Sequence, residues 1–211
     1  MNLKFLPFFF LLTVLTSFSA AQDSLRLTKL ILPAGLIGTG SVFMNRCEGP
    51  NCFNRPAYRL FYEKMSGRHI HIDDGLQYAP VVAYLCIPGR EKFYERFMAA
   101  STAALLTWGL TLPIKETAGE RRPDLKSDNS FPSGHTATAF MGAELLRLSG
   151  QPKKIVIPAY LAAAAVGCFR IHNNRHWFND VVAGAGFGIL SARIAYWLLP
   201  AEKKLVKKLF Y

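Results

Sequence analysis

Long apolar stretches separated by short polar segments dominate the hydrophobic pattern of this chain of 211 residues. Most of the stretches have helical length and are rich in Ala, Gly and Leu, whereas the alternation typical of strands is sparse. Small residues allow helices to pack closely within a bilayer. The pattern therefore predicts an all-α, membrane-embedded helical bundle with about five or six apolar helices, formed by residues 30–44, 76–88, 97–113, 137–148, 155–169 and 181–199.

Two of these stretches differ from a perpendicular membrane span, which needs roughly 20 apolar residues. Residues 76–88 form the weakest stretch, and residues 30–44 are broken by Pro33 and several glycines. We therefore expect residues 30–44 to lie in the membrane interface or to re-enter, with a true span as the alternative. Pro132 and Ser133 predict the start of a helix, and Pro200 is expected to close the last one.

The N-terminus has the pattern of a signal sequence. Lys4 precedes an apolar run over residues 5–18, and small residues follow at 19–21. Residues 1–21 are therefore expected to be a cleaved signal peptide or a retained N-terminal anchor. Residues 22–211 are then expected to form a single domain.

Composition and charge narrow the classes of partner. The chain is 51% hydrophobic, has a mean hydropathy of +0.16 and carries a formal net charge of +11. Such a basic balance suits anionic lipid headgroups, phosphorylated substrates or nucleic acid. Because no basic stripe is interleaved with aromatic residues, nucleic acid is not expected as a partner, whereas a bilayer is.

The distribution of basic residues predicts a membrane topology. Residues 89–96, 147–154 and 201–211 carry ten Lys or Arg in 27 positions. Residues 45–77, 115–133 and 170–180 carry eleven in 63, offset by nine acidic residues. The positive-inside rule places the first set in the cytoplasm and the second set outside.

The four cysteines lack zinc-site spacing with the histidines. Cys47 and Cys52 enclose a turn-forming segment, and they are expected either to form a small disulfide or to remain two thiols. Cys86 and Cys168 lie in apolar stretches and are expected to be buried packing residues.

Three short motifs at the ends of apolar stretches carry phosphate chemistry. The first pairs Lys115 with Arg122, whose forked guanidinium suits phosphoryl oxygens. Lys115 adds a point charge, unless it only snorkels to the membrane surface. In the second motif, Gly134 permits close backbone approach, and the N–H groups of the following helix favour an anion. Ser133 adds a hydroxyl donor.

His135, which ends the second motif, is placed to protonate a leaving alkoxide. The alternative is a surface histidine at an ordinary helix start.

The third motif contains Arg170, His176 and Asp180. His176 and Asp180 are four residues apart, so on a helix they would share a face. A carboxylate that holds one ring nitrogen makes the other a better nucleophile. His172 precedes His176 by four residues, but no third metal ligand with supporting spacing appears. His172 is therefore expected to be a polar loop residue, and no metal or cofactor is expected.

Together the motifs resemble those of the type-2 phosphatidic acid phosphatase superfamily. Its pattern is Lys-x6-Arg-Pro, then Pro-Ser-Gly-His, then Ser-Arg-x5-His-x3-Asp, and the match covers about residues 97–195 of this chain. The one departure is Phe169, which stands where the pattern has serine. This change removes a hydroxyl contact beside the phosphate and leaves the proposed acid and nucleophile in place.

The resemblance implies a metal-independent phosphatase with a phosphohistidine intermediate. His176 attacks phosphorus, Asp180 orients it, and His135 is the acid and then the base. The phosphoryl oxygens are held by Lys115, Arg122, Ser133, Gly134 and Arg170. The expected substrate is a lipid phosphate or pyrophosphate (lipid A, undecaprenyl pyrophosphate or phosphatidylglycerol phosphate) at the periplasmic face of a bacterial inner membrane.

The resemblance leaves alternatives open. The first is a soluble periplasmic acid phosphatase of the same superfamily, and the others are a vanadate-dependent haloperoxidase and a non-enzymatic lipid-binding protein. Outside the motifs, Glu144 and Arg193 are expected to pair across helices. Asp73 or Asp74 is expected to cap a helix, or else to bind a polar headgroup.

Overall fold

In the computed structural model, residues 28–44, 54–63 and 70–210 are described, with side chains through Lys208. Helices and turns make up this part of the chain and no strand lies in it, which confirms the all-α prediction. The helices are α1 (Thr28–Val42), α2 (Arg55–Tyr58, continued by a π-helical turn at Arg59–Glu63), α3 (Ile72–Leu76), α4 (Ala79–Cys86), α5 (Phe93–Ala118), α6 (Gly134–Leu148), α7 (Lys153–His172) and α8 (Phe178–Phe210).

Three of these helices are long and apolar enough to cross a membrane. They are α5, α7 and the part of α8 that runs from Phe178 to Lys208. The shorter α6 lies among them and packs against α4, α5, α7 and α8. Its core-facing side is formed mainly by alanines and leucines, which are fully buried. A membrane-embedded helical bundle around α6 follows from this arrangement.

Glycines set the distance between α6 and α8 at the end where α8 begins. A Cβ atom on Gly184 would lie 2.5 Å from the carbonyl oxygen of Ser133, and one on Gly188 would lie 2.1 Å from that of Ala137. Because only glycine fits at such separations, the start of α6 rests directly on the first turns of α8. This contact brings the second and third motifs together.

Helix α1 runs antiparallel to α8 along its side. Gly40, near the end of α1, contacts Ala183, whereas Gly186 contacts Pro33 and Ile37. These contacts do not define a membrane boundary, so the interfacial or re-entrant placement of residues 30–44 stays a prediction, with a true span as its alternative.

The predicted helix ends are partly corrected. Gly150 has a left-handed φ of +76° just after α6, a conformation that suits glycine at a helix end. Pro200, in contrast, does not close the last helix, because α8 continues to Phe210. Contacts with α5 hold the continuation: Thr102 donates a hydrogen bond to Glu202 at 2.7 Å, and Lys203 pairs with Glu95 at 2.5 Å.

The cysteine predictions have different outcomes. Cys86 is exposed and Cys168 is only partly buried, so the expectation of two buried packing residues is wrong for Cys86. Cys86 ends the short helix α4, where no further turn covers it. The predicted pair Cys47–Cys52 and the predicted signal or anchor at 1–21 lie outside the described residues.

The predicted pair of Glu144 and Arg193 is confirmed. The buried Glu144 carboxylate accepts hydrogen bonds from Arg193 Nε at 2.6 Å and from Arg147 at 2.6 and 2.8 Å. The Tyr160 hydroxyl also donates to it, and Arg193 donates to the Lys29 carbonyl oxygen. This cluster joins α1, α6, α7 and α8 away from the motifs.

Candidate active site

The three motifs meet at the end of the bundle where α5 and α7 finish and where α6 and α8 begin. Lys115 Nζ donates to the carbonyl oxygens of Asn129 at 2.8 Å and Pro132 at 3.1 Å. The Ser133 amide donates to the Asp180 carbonyl oxygen at 3.0 Å. Lys115 therefore does not snorkel, because it ties the first motif to the loop that carries the second.

His176 is held by Asp180 as predicted, but not across one helix face. His176 Nδ1 lies 3.3 Å from Asp180 Oδ2, and both side chains are buried. Helix α8 begins only at Phe178, so His176 precedes it. Asp180 reaches back over the helix start, where its Oδ2 also accepts from the Trp177 amide at 2.8 Å and the Ser130 hydroxyl at 2.5 Å.

The surroundings of His176 favour a neutral imidazole. Burial, and then the nearby charges of Lys115, Arg170 and Arg122, hold the pKa of His176 well below its usual value of 6.5. With Nδ1 engaged by Asp180, Nε2 makes no hydrogen bond to any described residue. A neutral ring oriented by a carboxylate, with one free nitrogen, is the form that a nucleophilic histidine requires.

Two arginines of the site retain unused donors. The Nε atoms of Arg122 and Arg170 are buried and have no hydrogen-bond partner among the described residues. Burial and the charge of Arg170 also lower the pKa of Arg122. Because buried guanidinium donors normally find an acceptor, this arrangement points to an anion with several oxygens as the missing partner.

Two acidic residues of α3 complete the site. The buried carboxylate of Asp73 accepts from Arg170 Nη1 at 2.7 Å, and Asp74 Oδ1 lies 3.1 Å from His135 Nε2. Helix α3 has His71 at its N-cap, so the expected capping role of this pair is wrong. Sequence reasoning missed both contacts because Arg170 lies 97 residues from Asp73. The signal available in the sequence was this pair of adjacent aspartates in a chain with more basic than acidic residues.

His135 is the less enclosed of the two histidines. Its side chain is 29% exposed. Burial and the charge of Arg170 lower its pKa, whereas the hydrogen bond to Asp74 opposes that shift. An accessible histidine held by a carboxylate is suited to proton transfer with a ligand.

The backbone of the second motif leaves room for a ligand. No atom lies within 4 Å of the position that a Cβ on Gly134 would take. Ser133 is the N-cap of α6, as predicted, but its hydroxyl lies 2.9 Å from Thr136 Oγ1 and makes no capping hydrogen bond. The N–H groups of the first turn of α6 therefore lack a side-chain cap, which suits an anion site.

The expectation that His172 is a polar loop residue is wrong. His172 is buried at the end of α7, with Nδ1 2.8 Å from the Phe61 carbonyl oxygen. Among the described residues, no group of three or more His, Cys, Asp or Glu has a metal-site arrangement. Phe169 is partly buried and directly precedes Arg170 in α7.

Comparisons with known proteins agree with this geometry. The chain is 36% identical over 138 residues to a lipid A 1-phosphatase of Porphyromonas gingivalis, covering 62% of this chain and 31% of that protein. It is 30% identical over 130 residues to lipid phosphate phosphatase 1 of Arabidopsis thaliana, covering 56% and 35%. The matches thus span about a third of these relatives' lengths.

One solved structure shares the fold. The crystal structure of Aquifex aeolicus LpxE matches with a TM-score of 0.54 at 24% identity, covering 67% of this chain and 93% of that one. The model of the PAP2 superfamily matches residues 92–204, a range that contains all three motifs and more than half of the chain. The chain therefore belongs to the PAP2 superfamily.

Proposed function

We propose that this protein is a membrane phosphatase that hydrolyses the phosphate or pyrophosphate monoester of a lipid. The observation that carries the proposal is the combination of a buried, neutral His176 with two buried arginines whose Nε donors lack a partner within residues 28–44, 54–63 and 70–210. Such a site binds a phosphoryl group through its oxygens and presents a nitrogen nucleophile to its phosphorus.

The proposed reaction has two steps. In the first, His176 Nε2 attacks phosphorus while the bond to the leaving oxygen breaks, and His135 gives that oxygen its proton. In the second, His135 takes a proton from water, the hydroxide attacks the phosphohistidine, and His176 and inorganic phosphate are released. Asp180 holds the ring in both steps.

Fixed cations neutralise the charge on the transferred group. Lys115, Arg122 and Arg170 surround His176 closely enough to lower its pKa. They act together with the first-turn amide of Gly134, at the uncapped start of α6. We propose that these groups make a metal ion unnecessary, so excess EDTA should leave the turnover rate unchanged.

An apolar crevice beside His135 supports a lipid substrate. It encloses about 330 Å³ between α4, α5 and α6, and its lining includes Val81, Trp108 and Met141. Trp108 is largely exposed, as on a helix that faces lipid. The apolar part of a lipid substrate would therefore lie in this crevice while His135 protonates the leaving oxygen. Together with the lipid A 1-phosphatase relative, this favours a lipid A phosphate over the other two candidates.

The charge bias supports a periplasmic site in a bacterial inner membrane. Residues 115–133 and 170–180, which carry few net positive charges, form the catalytic end. The basic segments 89–96, 147–154 and 201–208 belong to the helix ends opposite to it. We propose that this basic end is cytoplasmic.

Lipid mass spectrometry tests the substrate. Bacterial membranes with the active protein should contain lipid A that has lost one HPO3 group, and membranes with His176→Ala should not. Loss of HPO3 from undecaprenyl pyrophosphate or phosphatidylglycerol phosphate instead would reassign the substrate. An unchanged profile of all three lipids, with active protein demonstrated on a soluble phosphate ester, would overturn the lipid proposal and favour the acid phosphatase alternative.

A further inference from the structure

We propose a second lipid site, at the end of the bundle opposite to the active site, that binds an anionic phospholipid. The site is a groove between the start of α5 and the last turns of α8. It encloses about 1160 Å³. It is lined by Glu91, Lys92, Tyr94, Tyr196, Leu199, Pro200, Lys203, Lys204, Val206 and Lys207.

The groove has a fixed shape because hydrogen bonds and an ion pair join its two walls. Tyr196 donates to Glu91 at 2.5 Å, and Lys203 pairs with Glu95 at 2.5 Å. Thr102 donates to Glu202 just below it, at 2.7 Å. These contacts explain why α8 continues past Pro200, and they make the groove a preformed site instead of a chance gap at a frayed helix end.

The groove keeps a net positive charge. Glu91 accepts a hydrogen bond from Tyr196 and keeps its negative charge, whereas the charges of Glu95 and Lys203 offset one another. Lys92, Lys204 and Lys207 line the same groove, and no ion pair involves them within the part of the chain that the structure describes. A phosphodiester headgroup with net negative charge complements these three ammonium groups.

The remaining lining is apolar and adjoins the bilayer. Leu199, Pro200 and Val206 lie beside the lysines, next to candidate membrane spans on both sides. Pockets for drug-sized ligands typically enclose roughly 300–1,000 Å³, so this groove has room for a larger amphiphile. Cations together with an apolar wall select a phospholipid over a free phosphate or a soluble protein, and we assign phosphatidylglycerol as its occupant.

Native mass spectrometry of the full chain in detergent provides the test. The probes are phosphatidylglycerol and the zwitterionic phosphatidylethanolamine, each added alone. We expect one phosphatidylglycerol to be retained in preference to phosphatidylethanolamine. Because each lysine near an anionic lipid adds to the attraction, Lys204→Gln with Lys207→Gln should weaken that binding about tenfold or more.

A matched control uses two other lysines at the same end. Lys153 and Lys154 begin α7, are exposed and do not line the groove. Lys153→Gln with Lys154→Gln removes the same charge and should leave phosphatidylglycerol retention within about twofold of the parent. Equal losses of phosphatidylglycerol retention in the two double variants would show that the overall charge of this end attracts the lipid. Equal retention of phosphatidylglycerol and phosphatidylethanolamine by the parent would show that the groove is not a charge-selective site. Either result overturns the proposal, whereas hydrolysis of a soluble phosphate ester should be unaffected in all forms.

Discussion

Two clusters of charged side chains in this bundle contain similar residues, but they differ in whether the arginine donors have acceptors. Around Glu144, one carboxylate accepts hydrogen bonds from Arg147, Arg193 and Tyr160. At the catalytic end, three cations surround His176, and the Nε donors of two of them find no acceptor in the described part of the chain. A closed network stabilises a structure, whereas a network with unused cationic donors is prepared for an anionic ligand.

The carboxylates of the catalytic end differ from Glu144 in how they pair with the neighbouring cations. Asp73 accepts from one nitrogen of Arg170, Nη1, and Nε has no partner among the residues that the structure describes. Asp180 serves His176, Ser130 and an amide. These carboxylates orient the functional groups without neutralising the whole cationic cluster. Around Glu144, by contrast, the buried carboxylate lies at the centre and the arginines surround it.

The largest expected effect comes from removing the nucleophile. His176→Ala should lower kcat for phosphate release by at least about 10^4-fold, because no other group on the site replaces the free nitrogen. The measurement is phosphate release from a lipid phosphate in detergent, at equal folded protein as judged by thermal unfolding. Residual activity within about tenfold of the parent would contradict the proposed mechanism.

A second test compares one substitution in both clusters. Arg122→Lys removes a forked donor from the open cluster and should lower kcat/KM by about 10^2-fold. Arg193→Lys makes the same change beside Glu144 and should alter kcat/KM by less than about threefold, since its role is structural. Equal losses of kcat/KM in the two variants would contradict the distinction between an open cluster at the catalytic end and a closed cluster around Glu144.

A third test measures stability instead of activity. Glu144→Gln leaves two arginines without their buried counter-charge and should lower the free energy of unfolding by about 3 kcal/mol. Denaturation in detergent measures this change. Glu116→Gln, at an exposed carboxylate near the catalytic end, should change stability by less than about 0.5 kcal/mol. If both variants were equally stable, the cluster around Glu144 would not be a structural one.

The smallest expected effect is a change in pH dependence. The carboxylate of Asp74 favours protonated His135 and so raises its pKa. Asp74→Asn removes that effect, so the acid form of His135 should be lost at lower pH and the alkaline limb of kcat/KM should move to lower pH.

The acid limb reports the protonation of His176 and should remain in place. A pH–rate profile over both limbs measures the two effects. A shift of the acid limb instead, or an alkaline limb that moves to higher pH, would contradict the pairing of Asp74 with His135.

The helices and the motifs were predictable from the sequence because they depend on local pattern. Apolar runs of helical length indicated α5 to α8, and Ser133 marked the start of α6. The continuation of α8 past Pro200 was not predictable, because it depends on Glu95 and Thr102 of another helix. The burial of His172 likewise depends on the distant Phe61 carbonyl.

What the sequence determined by itself is the chemistry: two histidines, a carboxylate and three cations, in motifs whose residue types suit phosphoryl transfer. The tertiary structure decided which of these charges remain available. It placed Asp73 on one nitrogen of Arg170, Asp74 on His135, and Ser130 with Asp180. Such pairings join residues far apart in the chain that only the packing of different helices brings together, so no local pattern encodes them.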